Sequence, residues 1–195
     1  MDIWKHSLLS EYKFGGKAED YYEIHKFMDS SKLYYFHAKH RMLLHNTYGI
    51  ELCIRLFGDY IKNSDAETIL VRDIAAEHCK EDLSGMVPTL NDWLVKNEHL
   101  ETLLEVVPEI KDEKLREFIY LPLMLSNNKA SLLITCSDFG VQLAKQFLGL
   151  DQAIALSQLI PASQNIKSIL KAFKFHAKWQ FSPKMDELEK IKNLK

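Results

Sequence analysis

Histidine and carboxylate side chains crowd the first eighty or so residues of this chain. Six of its eight histidines lie there (His6, His25, His37, His40, His45 and His78), together with Asp29, Glu77, Glu81 and Asp82. Imidazole and carboxylate are ligands of zinc, manganese and iron, and a hydrolase uses such a metal to activate water. Spacing decides which of them can act together. His25 and Asp29 are four residues apart, as are His78 and Asp82, with Glu81 alongside. On a helix each pair shares a face. Two helices would then bring two ligands each to one point, or each carboxylate would orient the imidazole of its own pair. His40 and His45 are five apart, a rotation of about 140° on a continuous helix, so only one of them faces the core. His40 sits between Phe36 and Leu44 on the apolar stripe and is taken as that one. The expected metal set is therefore His25, Asp29, His40, His78 and Asp82, holding a divalent ion such as zinc or manganese. The same residues also read as buried polar anchors, a histidine bonded to an aspartate fixing the packing of two helices. No HExxH, HxH or CxxC pattern tips the balance. Cys79 follows His78 but lies with Ala75, Ala76 and Leu83 on the apolar side, as a buried and inert thiol would. GxSxG, Walker-A and GxGxxG patterns are absent, which argues against the common hydrolase and nucleotide-binding loops.

A second group of charges lies late in the chain. Lys167, Lys171, Lys174 and Lys178 recur at i, i+4, i+7 and i+11, and on one helix they would span about 60° of arc. Lys184, Lys190, Lys192 and Lys195 extend the positive charge, while the whole chain carries a formal −2. Such a face is a candidate anion-binding surface for nucleic-acid phosphates or for an acidic protein. Lysine is also the ordinary cover of a solvent-facing helix, and no arginine follows Arg116.

The elements that must position these groups read as follows. Residues 1–14 form a short helix with Trp4, Leu8 and Leu9 on one side, stopped by Gly15-Gly16. Residues 19–27 form a second. A long helix over about 31–57, capped by Asp29 or Ser30, carries Leu33, Phe36, Leu43, Leu44, Thr47, Ile50 and Ile54 and ends at Gly58. Asn63-Ser64-Asp65 is turn chemistry inside a β-prone stretch and predicts a hairpin over 59–71. Helix returns over 73–84, and Pro88-Thr89 opens another holding Leu90, Trp93 and Leu94. Beyond Lys96 the pattern is helical throughout, broken at Pro108, Pro122, Gly149-Leu150, Pro161 and Pro183, with caps at Ser137 or Asp138, at Asp151 and at Ser182. No internal repeat stands out. The fold class is mainly α: a helical domain with one small β-hairpin over residues 1–95, then an all-helical half over 96–195, packed on the first as one unit or standing apart. The last helix, with Met185, Leu188, Ile191 and Leu194, would pack on a neighbour or on a second copy in a homo-oligomer. It lacks the large aromatic face of a membrane anchor, and no run approaches the roughly 20 apolar residues of a membrane span. Cys53, Cys79 and Cys136 are odd in number and widely spaced. With no signal-peptide pattern at the start, they suit the reducing cytoplasm.

One string of residues carries a resemblance. It runs His6, Gly15-Gly16, Glu19-Asp20-Tyr21, Ile24-His25, Asp29, Lys32, His40-Arg41, His45, Gly49-Ile50, Phe57-Gly58, Asn63-Ser64-Asp65, His78, Glu81-Asp82, Pro88-Thr89 and Asp92-Trp93-Leu94. In order and spacing this resembles a small domain of unknown function found in bacteria and their phages, over about half the chain. The chain departs from that pattern at Asn46, where a second histidine is usual, and at Ala66, where a glycine is usual. The resemblance implies no assigned activity. Two readings of function follow. One is a His/Asp metal-binding domain with metal-dependent hydrolase activity. The other is a non-catalytic helical module of a phage or mobile element, binding a host protein or nucleic acid through its cationic C-terminal face.

Overall fold

Asp2 starts the first helix by accepting the Lys5 amide, and Gly15 stops it at φ 73°. The computed structural model describes residues 1–35, 37–95, 110–160 and 165–180 and is mainly α-helical with one antiparallel hairpin. Helix α1 (Ile3–Phe14) buries His6, Ser7 and Ser10. The side expected to be buried is not: Trp4 is 38% exposed and Leu8 and Leu9 are half-buried. The inward face of α1 is polar because polar partners meet it there. Helix α2 (Ala18–Met28) begins where Asp20 accepts the Lys17 amide. It buries Tyr21, Ile24, His25, Phe27 and Met28.

The α1–α2 connection is locked to the turn of the hairpin. Asp65 accepts the Gly16 amide, Asp20 accepts the Ser64 amide and hydroxyl, and the Asn63 side-chain amide donates to the Phe14 carbonyl. A Cβ on Gly16 would sit 2.6 Å from an Asp20 carboxylate oxygen and 2.7 Å from the Asn63 Cβ. Gly15-Gly16, Asp20 and Asn63-Ser64-Asp65 are therefore structural partners of one another. The hairpin itself pairs β1 (Tyr60–Lys62) with β2 (Thr68–Leu70), Ile61 opposite Ile69. Ala66 takes the left-handed conformation, at φ 63°, that glycine adopts more easily.

The single helix expected over 31–57 does not form. Short 3-10 turns at Ser30–Leu33 and Ala38–His40 and the four-residue α3 (Arg41–Leu44) precede α4 (Thr47–Phe57). Asn46 makes the break. Its side-chain oxygen accepts the Tyr48 and Gly49 amides, at 2.9 and 3.2 Å, and its amide donates to the Leu43 carbonyl. The chain folds back so tightly that a Cβ on Gly49 would lie 1.8 Å from the Leu44 carbonyl oxygen. Phe36, placed on the same stripe, lies outside the described residues.

The same turn is built a second time. A 3-10 turn (Lys129–Ser131) and a four-residue helix, Leu132–Thr135, lead to Ser137, whose hydroxyl accepts the Gly140 amide and caps the helix Asp138–Phe147. A Cβ on Gly140 would lie 1.9 Å from the Thr135 carbonyl oxygen. In register, Tyr48-Gly49-Ile50, Leu52 and Gly58 match Phe139-Gly140-Val141, Leu143 and Gly149, Asn46 matches Ser137, and His45 matches Cys136. The chain thus contains an internal repeat over 38–58 and 129–149, which few identical residues betray.

Helix α5 (Val71–Asp82) buries Val71, Ile74, Ala75, His78, Cys79 and Asp82 along one stripe, and α6 (Leu90–Trp93) is capped by Thr89 and Asp92. Further along come α7 (Glu113–Ser126) and α10 (Leu150–Leu159), the two short helices of the second turn, Leu132–Thr135 and Asp138–Phe147, being α8 and α9. Pro122 does not break α7. The Ser126 hydroxyl donates to the Pro122 carbonyl, and the helix runs on to Asn127, which ends it in the left-handed region. Helix α10 starts from Gly149 and not from Asp151. The helix expected through Lys167–Lys178 is also absent: α11 (Ile166–Ile169) and a 3-10 turn give way to extended chain, where Phe173 pairs with Leu94 and the Lys174 amide donates to the Trp93 carbonyl. The breaks at Pro108 and Pro161 and the last helix with its Ser182 cap, Met185, Leu188, Ile191 and Leu194 lie outside the described residues. No described helix is long and apolar enough to cross a membrane. Two compact units result, each discontinuous in sequence. One takes Met1–Leu33, Leu43–Pro88 and the described residues from His176. The other takes Tyr34–Met42 and the described residues of Thr89–Phe175.

Candidate metal centre

Within the first unit four segments bring polar side chains to one buried place. Helix α1 supplies His6 and Ser10. The C-terminal part of α2 supplies His25, with Asp29 just beyond it. The bend between α3 and α4 supplies His45, and α5 supplies His78, Glu81 and Asp82. His6, His25, His45 and His78 are all 0% exposed, Asp29 2% and Asp82 1%. The break at Asn46 matters here, because it frees His45 from the helical phase of His40.

Asp29, His45, His78 and Asp82 each offer one ligand atom, all within 4.8 Å of one another. His45 Nε2 lies 3.1 Å from His78 Nε2, 3.2 Å from Asp82 Oδ2 and 3.7 Å from Asp29 Oδ1, and His78 Nε2 lies 3.7 Å from Asp29 Oδ1. A tetrahedron with its corners about 2.0–2.1 Å from a central zinc has edges of about 3.3–3.4 Å, and the four separations bracket that length. Each carboxylate keeps its other oxygen on a cation. Asp29 Oδ2 meets the Lys32 ammonium at 2.5 Å, and Asp82 Oδ1 meets the Met1 amino nitrogen at 2.5 Å. These outer contacts turn one oxygen of each aspartate toward the imidazoles.

Burial pushes His45 down to about 4 and takes His6 and His25 well below the ordinary histidine range, so these rings are neutral near pH 7. Burial alone would raise both aspartates. Hydrogen bonds from the neighbouring rings, and the Lys32 charge at Asp29, outweigh it and hold both well below the usual carboxylate range. Four groups able to act as ligands converge. Without an ion, protons on both Nε2 atoms would meet head-on at the 3.1 Å His45–His78 separation, so at least one of the two is bare. A divalent cation makes ligands of all four.

A second layer surrounds this set. His25 Nδ1 lies 3.0 Å from His78 Nδ1, and His25 Nε2 lies 2.9 Å from the Ser10 hydroxyl. His6 stacks on His78, ring centres 3.9 Å apart, with its Nδ1 2.5 Å from Glu81 Oε2. Burial pushes the Glu81 carboxyl up to about 8, so it is protonated near neutrality and donates to that nitrogen.

Of the residues expected at a metal, His25, Asp29, His78 and Asp82 gather in this cluster. His40 belongs to the other unit and to neither ligand group found among the described residues. His45 and His6 are in the cluster but not in the expected set: helical continuity from His40, which would turn His45 outward, ends at Asn46, and the motif string that includes His6 and His45 is the signal for both. Lys167, Lys171, Lys174 and Lys178 are all exposed but no single helix carries them.

A family model described as a domain of unknown function (DUF6915) matches residues 1–103, a span that contains every member of the cluster. No curated protein and no solved structure matches the chain.

Proposed function

We propose, for a chain that belongs to this family of domains of unknown function, that the first unit is a metal-binding domain in which Asp29, His45, His78 and Asp82 hold one divalent ion, zinc in the first instance and manganese as the competing choice. The observation that carries this reading is the convergence of two imidazoles and two carboxylates, their ligand atoms all within 4.8 Å of one another, in a fully buried place. The internal repeat supports it. The second turn, over 129–149, has the same cap and the same close glycine contact with Cys136 where His45 stands in the first. The turn itself does not require an imidazole, so His45 answers to something else.

Four protein ligands complete a tetrahedron, whereas a catalytic zinc keeps a position for water or substrate. The geometry thus favours a closed ion that ties α2, the α3–α4 bend and α5 together over one that activates water for hydrolysis. The free thiols of Cys53, Cys79 and Cys136 accord with a cytoplasmic setting. A metal-stapled, non-catalytic module is the function this supports.

Cobalt(II) tests the reading, because a tetrahedral cobalt site absorbs visible light far more strongly than an octahedral one. Titration of the metal-free full chain gives an intense band saturating at one equivalent. Asp29→Asn combined with His78→Gln, folded by circular dichroism, gives none. Absence of the band in the native chain, or an unchanged band in the double variant, contradicts the assignment.

A further inference from the structure

Resting on that metal reading, we propose that Ser10 and His25 are positioning residues that fix His78 in the tautomer offering Nε2 to the ion. His78 meets two other imidazoles, and the contacts differ in kind. With His25 the rings are 25° from parallel, their centres 5.2 Å apart and the facing Nδ1 atoms 3.0 Å apart, as an in-line N–H···N bond requires. With His45 the rings cross at 66° and the centres close to 4.7 Å, although the nitrogens stand slightly farther apart at 3.1 Å. Those two lone pairs are bent toward a shared point and not along the line between them. His78 therefore presents Nε2 to the ion and Nδ1 to His25.

Proton placement then follows along the chain of contacts. A neutral His78 that gives Nε2 to a metal carries its proton on Nδ1. That N–H donates to His25 Nδ1, which must be bare. The proton of His25 is then on Nε2 and donates to the Ser10 hydroxyl, 2.9 Å away. Ser10 and His25 are 1% and 0% exposed, so water does not substitute for either partner.

The same geometry keeps His25 out of the ligand set, although a nitrogen of His25 falls within 4.8 Å of nitrogens of His6 and His78. Both of its nitrogens are engaged. His6 lies face to face with His78, 29° from parallel, and imidazole lone pairs lie in the ring plane, so the two run side by side without meeting at an ion.

Two-bond 1H–15N correlation spectra of the zinc-loaded full chain read the tautomers directly. Expected are zinc on His78 Nε2 with a proton on Nδ1, and a proton on His25 Nε2. In metal-free Ser10→Ala the His25 proton moves to Nδ1 and the His78 proton to Nε2, where it opposes the metal. Zinc affinity falls by about 10- to 100-fold, as loss of such outer partners usually brings, at unchanged stoichiometry, and Ser10→Thr restores it. A purely structural serine would lower stability without moving either proton. Zinc bound through His78 Nδ1, or Ser10→Ala with native affinity and native tautomers, overturns the positioning role and leaves the metal site standing. A native chain whose histidine signals ignore zinc overturns both.

Discussion

Removal of the ion from the loaded protein lowers its thermal unfolding midpoint by roughly 8–16 °C. The figure follows from linkage: a ligand present at a thousand times its dissociation constant stabilises the folded state by about 4 kcal/mol, and each kcal/mol moves the midpoint of a domain of this size by about 2–4 °C. The effect is large because the ligands come from segments far apart in sequence. Asp29 follows α2, His45 sits on the α3–α4 bend, and His78 and Asp82 lie on α5. An unfolded chain holds no such site, so binding free energy becomes folding free energy. Scanning calorimetry with excess zinc, with chelator, and with zinc restored measures it. Superimposable curves would mean that no ion joins these segments.

The metal-free chain should be most stable near pH 6.5 and lose stability on both sides. On the acid side the folded histidines set the sign. His45 titrates near 4 when folded, and His6 and His25 well below their ordinary range, whereas all three titrate near 6.5 when unfolded. Between those limits the unfolded chain binds more protons, so acid favours unfolding. Glu81 runs the other way. Burial keeps it protonated up to about 8 in the folded state, so its contribution is present at low pH and disappears as pH rises through 8. Three histidines against one glutamate leave a net of two protons, or about 2–3 kcal/mol lost per pH unit between about pH 6 and 5. Below about 4, Asp29 and Asp82, whose folded values are depressed, add to the acid loss. From pH 6.5 to 8 the decline is gentler, at most about 1.4 kcal/mol per unit. Urea unfolding at pH 5, 6.5 and 8 distinguishes this dome from a flat profile or one that rises toward acid, either of which would show that the imidazoles are not held neutral.

Much of this arrangement was legible in the residues. Four-residue spacing places His25 and Asp29 along and just beyond α2, and His78 and Asp82 along α5, and it needs no tertiary information, but it does not give which of them share a ligand group. The hairpin was legible because Asn63-Ser64-Asp65 has turn chemistry of its own. What stayed hidden depended on partners distant in sequence. A helical phase running through His40 would turn His45 away, but Asn46 interrupts it by capping α4 from within an apolar run. His6 and Ser10 lie on a helix face that periodicity marks as solvent-facing, and they are buried because other polar groups meet them. The lysines are not aligned on one helix for a related reason: the pairing of Phe173 with Leu94 draws the chain out of the helix that would align them. The repeat is faint in the residues because a capped turn needs only an Asn or Ser cap, an apolar residue and a glycine, and the intervening residues differ freely.

Elemental analysis of the freshly purified full chain, dialysed against metal-free buffer without chelator, tests the account most directly. It should find close to one equivalent of zinc or manganese per chain, lost when His45 and Asp82 are replaced together by glutamine and asparagine. A chain that arrives without a transition metal and takes none up from zinc or manganese solutions would leave the buried histidines and aspartates as a packing network, and the metal-binding assignment would be wrong.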